Sequence, residues 1–123
     1  MRNDKKNIIV EKTFEFSLLL VDFAELLEEK RKYVIARQIL KSGTSIGANV
    51  REAQNAESKA DFIHKMKIAA KEADETEYWL SLCQASKHYP DCEELQKKLD
   101  EIIRILSKII SSTKRSFSNF QIN

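Results

Sequence analysis

The side chains best placed to do chemistry in this sequence fall into a few small groups. A stripe of small polar residues, Ser42-Gly43-Thr44-Ser45-Ile46-Gly47-Ala48-Asn49, holds both of the chain's glycines. Glycine-rich segments can cradle a phosphate through backbone N–H groups, but a phosphate loop ends in Gly-Lys-Ser/Thr and follows a strand. This stripe does neither. Asp61-x-x-His64 has the spacing of half a di-iron site in a helix bundle, yet the second half is missing, because His88 has Ala85 three residues before it. Cys83, His88 and Cys92 offer three zinc-type donors, but they straddle Pro90 without a paired Cys-x-x-Cys. Two histidines and no nucleophile elbow leave nothing from which to assemble covalent catalysis. The reading is of a protein that is not an enzyme and has no metal site and no cofactor.

Two further groups point to binding. Ser42, Asn49 and Thr76 occupy helix positions whose neighbours in register are apolar. Buried polar groups need partners, so these three either form an internal hydrogen-bond network that fixes register or line a pocket with Glu52, Glu72 and Glu75. Arg37, Lys41, Arg51 and Lys59 lie in or just after one helical stretch, and Lys114-Arg115 lie near the C-terminus. On one subunit such charges are ordinary surface. In a ring they recur once per subunit and build a field that attracts RNA or DNA. The acidic run Glu72, Asp74, Glu75 and Glu77 interleaves with Lys65, Lys67 and Lys71, as on a solvated helix face.

The elements that must carry these residues are helices. A chain of 123 residues with two Gly and one Pro has too few turn formers for a sandwich or barrel. Ile9, Phe16, Leu20, Phe23 and Leu27, widened by Leu19 and Leu26, mark a first helix over about residues 9–31. Ile35, Ile39, Ser42, Ile46, Asn49, Ala53 and Ala56 step by four and three along a second helix, about 33–56. Beside them runs a row of Ala36, Leu40, Gly43, Gly47 and Val50. The period persists through both glycines. They are therefore read as a close-contact helix face, since glycine in a helix costs about 1 kcal/mol relative to alanine and a missing side chain lets backbones approach. Ser58, with Asp61 three residues on, caps a third helix over 59–86. Its seam is Phe62, Met66, Ala69, Ala73, Thr76, Leu80 and Cys83, broadened by Ile63, Ala70 and Trp79. Pro90 opens a fourth helix over 91–112 with the seam Leu95, Leu99, Ile102, Leu106 and Ile109, followed by a polar tail, 113–123. Helices of this length with short connections form an all-α, up-and-down antiparallel four-helix bundle, one domain over 1–123. The wide first stripe leaves apolar surface that a partner could cover.

Lys and Arg number 21 against 19 Asp and Glu, so the net charge of +2 carries no global argument for nucleic acid or membrane. The first seven residues lack an apolar signal core, and no apolar run approaches the ~20 residues of a membrane span. The expectation is a cytoplasmic protein with Cys83 and Cys92 as reduced thiols.

The strings Ser45-Ile46-Gly47-Ala48-Asn49-Val50-Arg51-Glu52-Ala53, Asp61-Phe62-Ile63-His64-Lys65-Met66-Lys67-Ile68-Ala69 and Lys71-Glu72-Ala73-Asp74-Glu75-Thr76-Glu77-Tyr78-Trp79-Leu80 resemble the 23S rRNA intervening sequence protein family of four-helix-bundle proteins. The likeness runs from about Ile9 to Ser112. Many members carry Glu-Gly after the asparagine, where this chain has Glu52-Ala53. The family name records reading frames inside insertions in bacterial 23S rRNA genes, which is a gene location and not an activity. Its members are similar in fold to the accessory variability determinant proteins of diversity-generating retroelements, which are basic pentameric barrels that bind nucleic acid. The resemblance implies a homopentamer with a nucleic-acid role. The expected function is thus a non-enzymatic oligomeric bundle binding RNA or DNA weakly. The alternative is a protein-interaction scaffold that docks a partner helix.

Overall fold

The computed structural model describes residues 7–122, with side chains through residue 116. Four helices account for nearly all of it: α1 (Ile8–Glu29), α2 (Tyr33–Ala53), α3 (Lys59–Ala85) and α4 (Glu93–Ile122). Each packs on its sequence neighbours, and α1 closes the ring against α4 with the least extensive contact of the four. The order is that of an up-and-down four-helix bundle.

Local chemistry explains each turn. Asn7 caps α1 by accepting the Val10 N–H, and its amide donates to Gln54 Oε1 at 2.8 Å, tying the start of α1 to the end of α2. The α1–α2 turn is a Schellman motif. The Lys32 N–H reaches the Leu27 carbonyl at 2.8 Å and the Arg31 N–H reaches that of Glu28 at 2.9 Å, with Arg31 in the left-handed region at φ 63°. Ser58 Oγ caps α3 by accepting the Asp61 N–H, while Asp61 reaches back to the Glu57 N–H. At the other end, Gln84 Oε1 accepts the Cys92 N–H, and Lys32 lies over the Tyr89 ring. The two connections at that end are thereby held together.

The core is a continuous column of Phe16, Leu20, Leu27, Ile39, Ile46, Met66, Leu80, Leu99, Ile102 and Leu106, all essentially inaccessible. Burying each such side chain contributes about 1.5–3 kcal/mol.

Four expectations need correction. The α1 stripe is widened by Val10, Thr13 and Ala24, and not by Leu19 and Leu26, which stay 39% and 38% exposed because α4 approaches that shoulder loosely. α2 ends at Ala53, and α4 begins after Pro90, at Glu93. α4 also passes through Ser111-Ser112-Thr113 to Ile122, so 113–122 is helix and not a separate tail, while Asn123 lies outside the described residues. The Thr113 hydroxyl donates to its own helix at the Ile109 carbonyl, 2.7 Å away, and neither Gly nor Pro follows to stop the helix.

Candidate functional site

The small polar stripe is helical throughout, which removes the phosphate-loop alternative. Its two glycines differ. Gly43 sits under Leu20, and a Cβ placed there would overlap Leu20 Cδ1, so the missing side chain makes room for the tip of Leu20. At Gly47 a Cβ would stand 3.4 Å from Thr13, an ordinary contact. The steric need for glycine is therefore at Gly43, set by the Leu20 side chain, while the α1 backbone comes nearest at Gly47 through the Thr13 carbonyl.

The six residues weighed as polar core or pocket separate. Ser42 and Thr76 are both buried and meet across α2 and α3 at 2.9 Å, and Thr76 Oγ1 also lies 2.8 Å from the Glu72 carbonyl. That carbonyl can only accept. The arrangement that uses both contacts has Thr76 donating to Glu72 and Ser42 donating to Thr76. Asn49 is half-buried and donates to its own helix at the Ser45 carbonyl. Glu52 is exposed and 3.6 Å from Lys65, and Glu75 is exposed and accepts from Trp79 Nε1. These residues do not converge on a pocket. A strict four-three count drifts by about 20° per heptad against a real helix, so by the last turns of α2 the buried position has moved from Asn49 to Val50.

The basic residues separate too. Arg37 and Lys41 are exposed one turn apart on α2. Arg51 lies over the Phe14 ring, 5.9 Å from its centroid, and Lys59 donates to Ser116 Oγ on α4. Arg51 and Phe14 border a groove of about 320 Å³ between α1 and α2, with Val10, Thr13, Ser17, Thr44, Gly47 and Ala48 along it. The hydroxyls of Thr13, Ser17 and Thr44 are turned back on carbonyls of their own helices, at Ile9, Thr13 and Leu40 respectively. The guanidinium of Arg51 is thus the groove's free polar group among the described residues. On α1, Phe14 and Leu18 are each 54% exposed, and Val21 continues the same outward row at the i, i+4, i+7 spacing. The sequence reading did not single out that row, although its spacing was visible beside the core stripe.

The α3–α4 seam carries charge that only the folded chain reveals. The like-charged Lys67 ammonium on α3 lowers the pKa of Lys114 on α4. Toward the other end of the seam, Glu77 stands beside Asp100, and partial burial followed by that carboxylate raises its pKa. These pairs are separated by dozens of residues in sequence, so no local pattern announces them.

The metal-type donors do not gather. Asp61 serves as a capping residue, while His64 and His88 are exposed on different segments. Among the described residues no three His, Cys, Asp or Glu side chains come together in a metal-binding arrangement. Cys83 and Cys92 are buried free thiols, pushed up by burial to about 12 and about 11. Among the same residues no helix is long and apolar enough to cross a membrane.

Comparison with known proteins agrees with this architecture. Residues 5–108 match the model of the 23S rRNA-intervening sequence protein family. No curated protein matches the chain. A crystal structure of a protein of unknown function from the S23 ribosomal protein family of Bacteroides thetaiotaomicron VPI-5482 is similar, with 43% identity and a TM-score of 0.80 over 84% of this chain and 98% of that one. The chain belongs to the 23S rRNA-intervening sequence protein family.

Proposed function

We propose that this protein is a non-catalytic homo-oligomeric bundle, a pentamer by family likeness, that binds RNA or DNA through repeated surface cations. The observation that carries the reading is the outward row Phe14, Leu18 and Val21 on α1 beside the α1–α2 groove. Apolar side chains in line on a monomer surface stay exposed at a cost unless something covers them. A copy of the same chain is always at hand to do so. A ring of five would carry about +10 from a subunit charge of +2, enough for a local field to matter. Arg37 and Lys41, exposed on the neighbouring helix, would recur around it.

Light scattering gives the mass, and anisotropy with labelled single-stranded RNA and duplex DNA gives the affinity. The expected result is an oligomer in which Leu18→Glu lowers the mass, with binding that weakens steeply between about 50 and 200 mM salt. A monomer mass together with no binding at low salt would refute the reading.

A second apolar groove favours a second reading. Leu19, Phe23, Leu26, Cys92 and Leu95 line about 290 Å³ at the open α1–α4 seam, where a partner helix would fit. Partners captured from lysate that survive nuclease treatment support this scaffold role over nucleic-acid binding.

A further inference from the structure

The groove at the α1–α4 seam is apolar on its floor and acidic on its rim. Phe23, Leu26 and Leu95 form the floor, and Asp22, Asp91 and Glu94 stand around it, with no cation among the described lining residues. Asp91 accepts from Gln84 Nε2 at 2.7 Å, whereas Asp22 and Glu94 enter none of the ion pairs among the described residues. The acidity is confined to this end, because the adjoining groove of the same seam carries Lys12 and Lys98. An occupant must therefore bring apolar side chains together with positive charge. The chain itself contains such a segment. Beyond Glu101 every charged side chain is positive, ending with Lys114-Arg115, and Phe117 and Phe120 follow. Lys59, the first residue of α3, donates to Ser116, yet α4 continues to Ile122, about 9 Å of helix past that level. Leu106, Ile110, Thr113, Phe117 and Phe120 succeed one another in steps of four and three, so the apolar period of α4 outlasts the helix it packs against. The segment also lies beyond residue 108, where the family match stops.

We propose that the α1–α4 groove receives the C-terminal end of α4 from a second copy of the chain, with Lys114 and Arg115 on the acidic rim and Phe117 and Phe120 on the apolar floor. The segment cannot serve its own groove, because Leu95 and Phe117 stand about 33 Å apart along one continuous helix. The contact is heterologous, one end of a bundle against the seam of the next, so it closes into a ring or runs on as a chain according to the rotation between copies. Opposite charges on groove and tail make it weaken with salt. The proposal rests on the helix-docking reading of this groove and names the helix. It uses none of the Phe14, Leu18 and Val21 row, so the two contacts are separable.

The test uses the full chain, with sedimentation over a range of protein concentrations at low and high salt. Asp22→Lys reverses one charge of the rim and Arg115→Glu one of the tail, both at exposed helix positions, and Phe120→Ser removes an apolar anchor. Each should weaken self-association about tenfold. The double variant Asp22→Lys with Arg115→Glu should recover most of the loss, since opposite signs again meet between copies, a rescue that damage to the fold would not give. A photo-cross-linking residue in place of Phe120, in a mixture of ordinary and nitrogen-15-labelled chains, should join to residues 19–26 or 91–95 of the other chain. Cross-links confined to one chain overturn the proposal, as does self-association that none of the three substitutions alters. A loss with Asp22→Lys but with neither tail substitution also overturns it and leaves the groove to a different partner. In a Leu18→Glu background a weaker, salt-sensitive association should persist through the tail. A strict monomer there overturns the tail contact and leaves the oligomer built on the outward α1 row standing.

Discussion

Replacing the two glycines of α2 by alanine, one at a time, should move stability in opposite directions. Neither glycine has a positive φ, so alanine fits the backbone at both positions. Each substitution therefore gains about 1 kcal/mol of helix propensity. At Gly47 the new methyl would touch Thr13 at 3.4 Å, so most of that gain should survive, a net stabilisation of about 0.5–1 kcal/mol. At Gly43 the methyl falls on Leu20 Cδ1, and Leu20 is fully buried, so it must shift within a packed core. Overpacking of this kind costs about 1–3 kcal/mol, which outweighs the propensity gain and leaves a net loss of about 1 kcal/mol. For a domain of this size 1 kcal/mol corresponds to about 4 °C in Tm. The pair should therefore separate by about 6–8 °C in urea-calibrated thermal melts at matched protein concentration. Shortening the opposing residue should rescue the first variant: Leu20→Val should cost less in the Gly43→Ala background than alone, with a coupling of about 1 kcal/mol. If Gly43→Ala stabilises as much as Gly47→Ala, the tight seating of Leu20 on Gly43 is refuted.

Other expectations are simpler to state. Thr76→Val should cost about 1–3 kcal/mol in denaturant unfolding, because it strands the buried Ser42 hydroxyl; adding Ser42→Ala should restore part of the loss. Glu77 binds its proton more tightly folded than unfolded, so stability should rise as pH falls through its raised folded pKa toward the ordinary value of 4.5. Glu77→Gln should consequently be more stable than wild type at pH 7, with an advantage that disappears in acid; an unchanged difference across pH would contradict the Glu77–Asp100 contact. Cys83 and Cys92, with thiols at about 12 and about 11, should resist an aromatic disulfide reagent at pH 8 until denaturant is added. Rapid labelling of the native protein would show that the α3–α4 end is open.

The parts of this fold that were legible in sequence are those written in helical period. Leu95, Leu99, Ile102 and Leu106 form the buried seam of α4 as their spacing implied, and Ser58 caps α3 as its side chain implied. Errors arose where the period had to be counted over several turns or compared between helices. Asn49 was assigned to the seam by heptad counting, but the helix turns past it to Val50. Leu19 and Leu26 were read as widening the α1 stripe, but their burial depends on how near α4 comes, which the α1 sequence does not encode. Arg37, Lys41, Arg51 and Lys59 were grouped by proximity along the chain. The structure places Arg51 over Phe14 and Lys59 against α4. Glu77 and Asp100, neighbours across α3 and α4, are likewise residues that only the bundle brings together.

The loose α1–α4 seam also bears on how the chain reaches this fold. Most tertiary contact joins helices consecutive in sequence, so successive helical hairpins can form with short loops to close. Joining α1 to α4 spans almost the whole chain, for little packing in return. Closure of the α1–α4 seam is therefore expected late on the folding path. Weakening the Lys12–Glu101 pair or Leu95 at that seam should hasten unfolding while leaving the folding rate almost unchanged. The last seam to close is also the first to part, so slow amide exchange should begin along α1 and α4 while α2 and α3 remain protected.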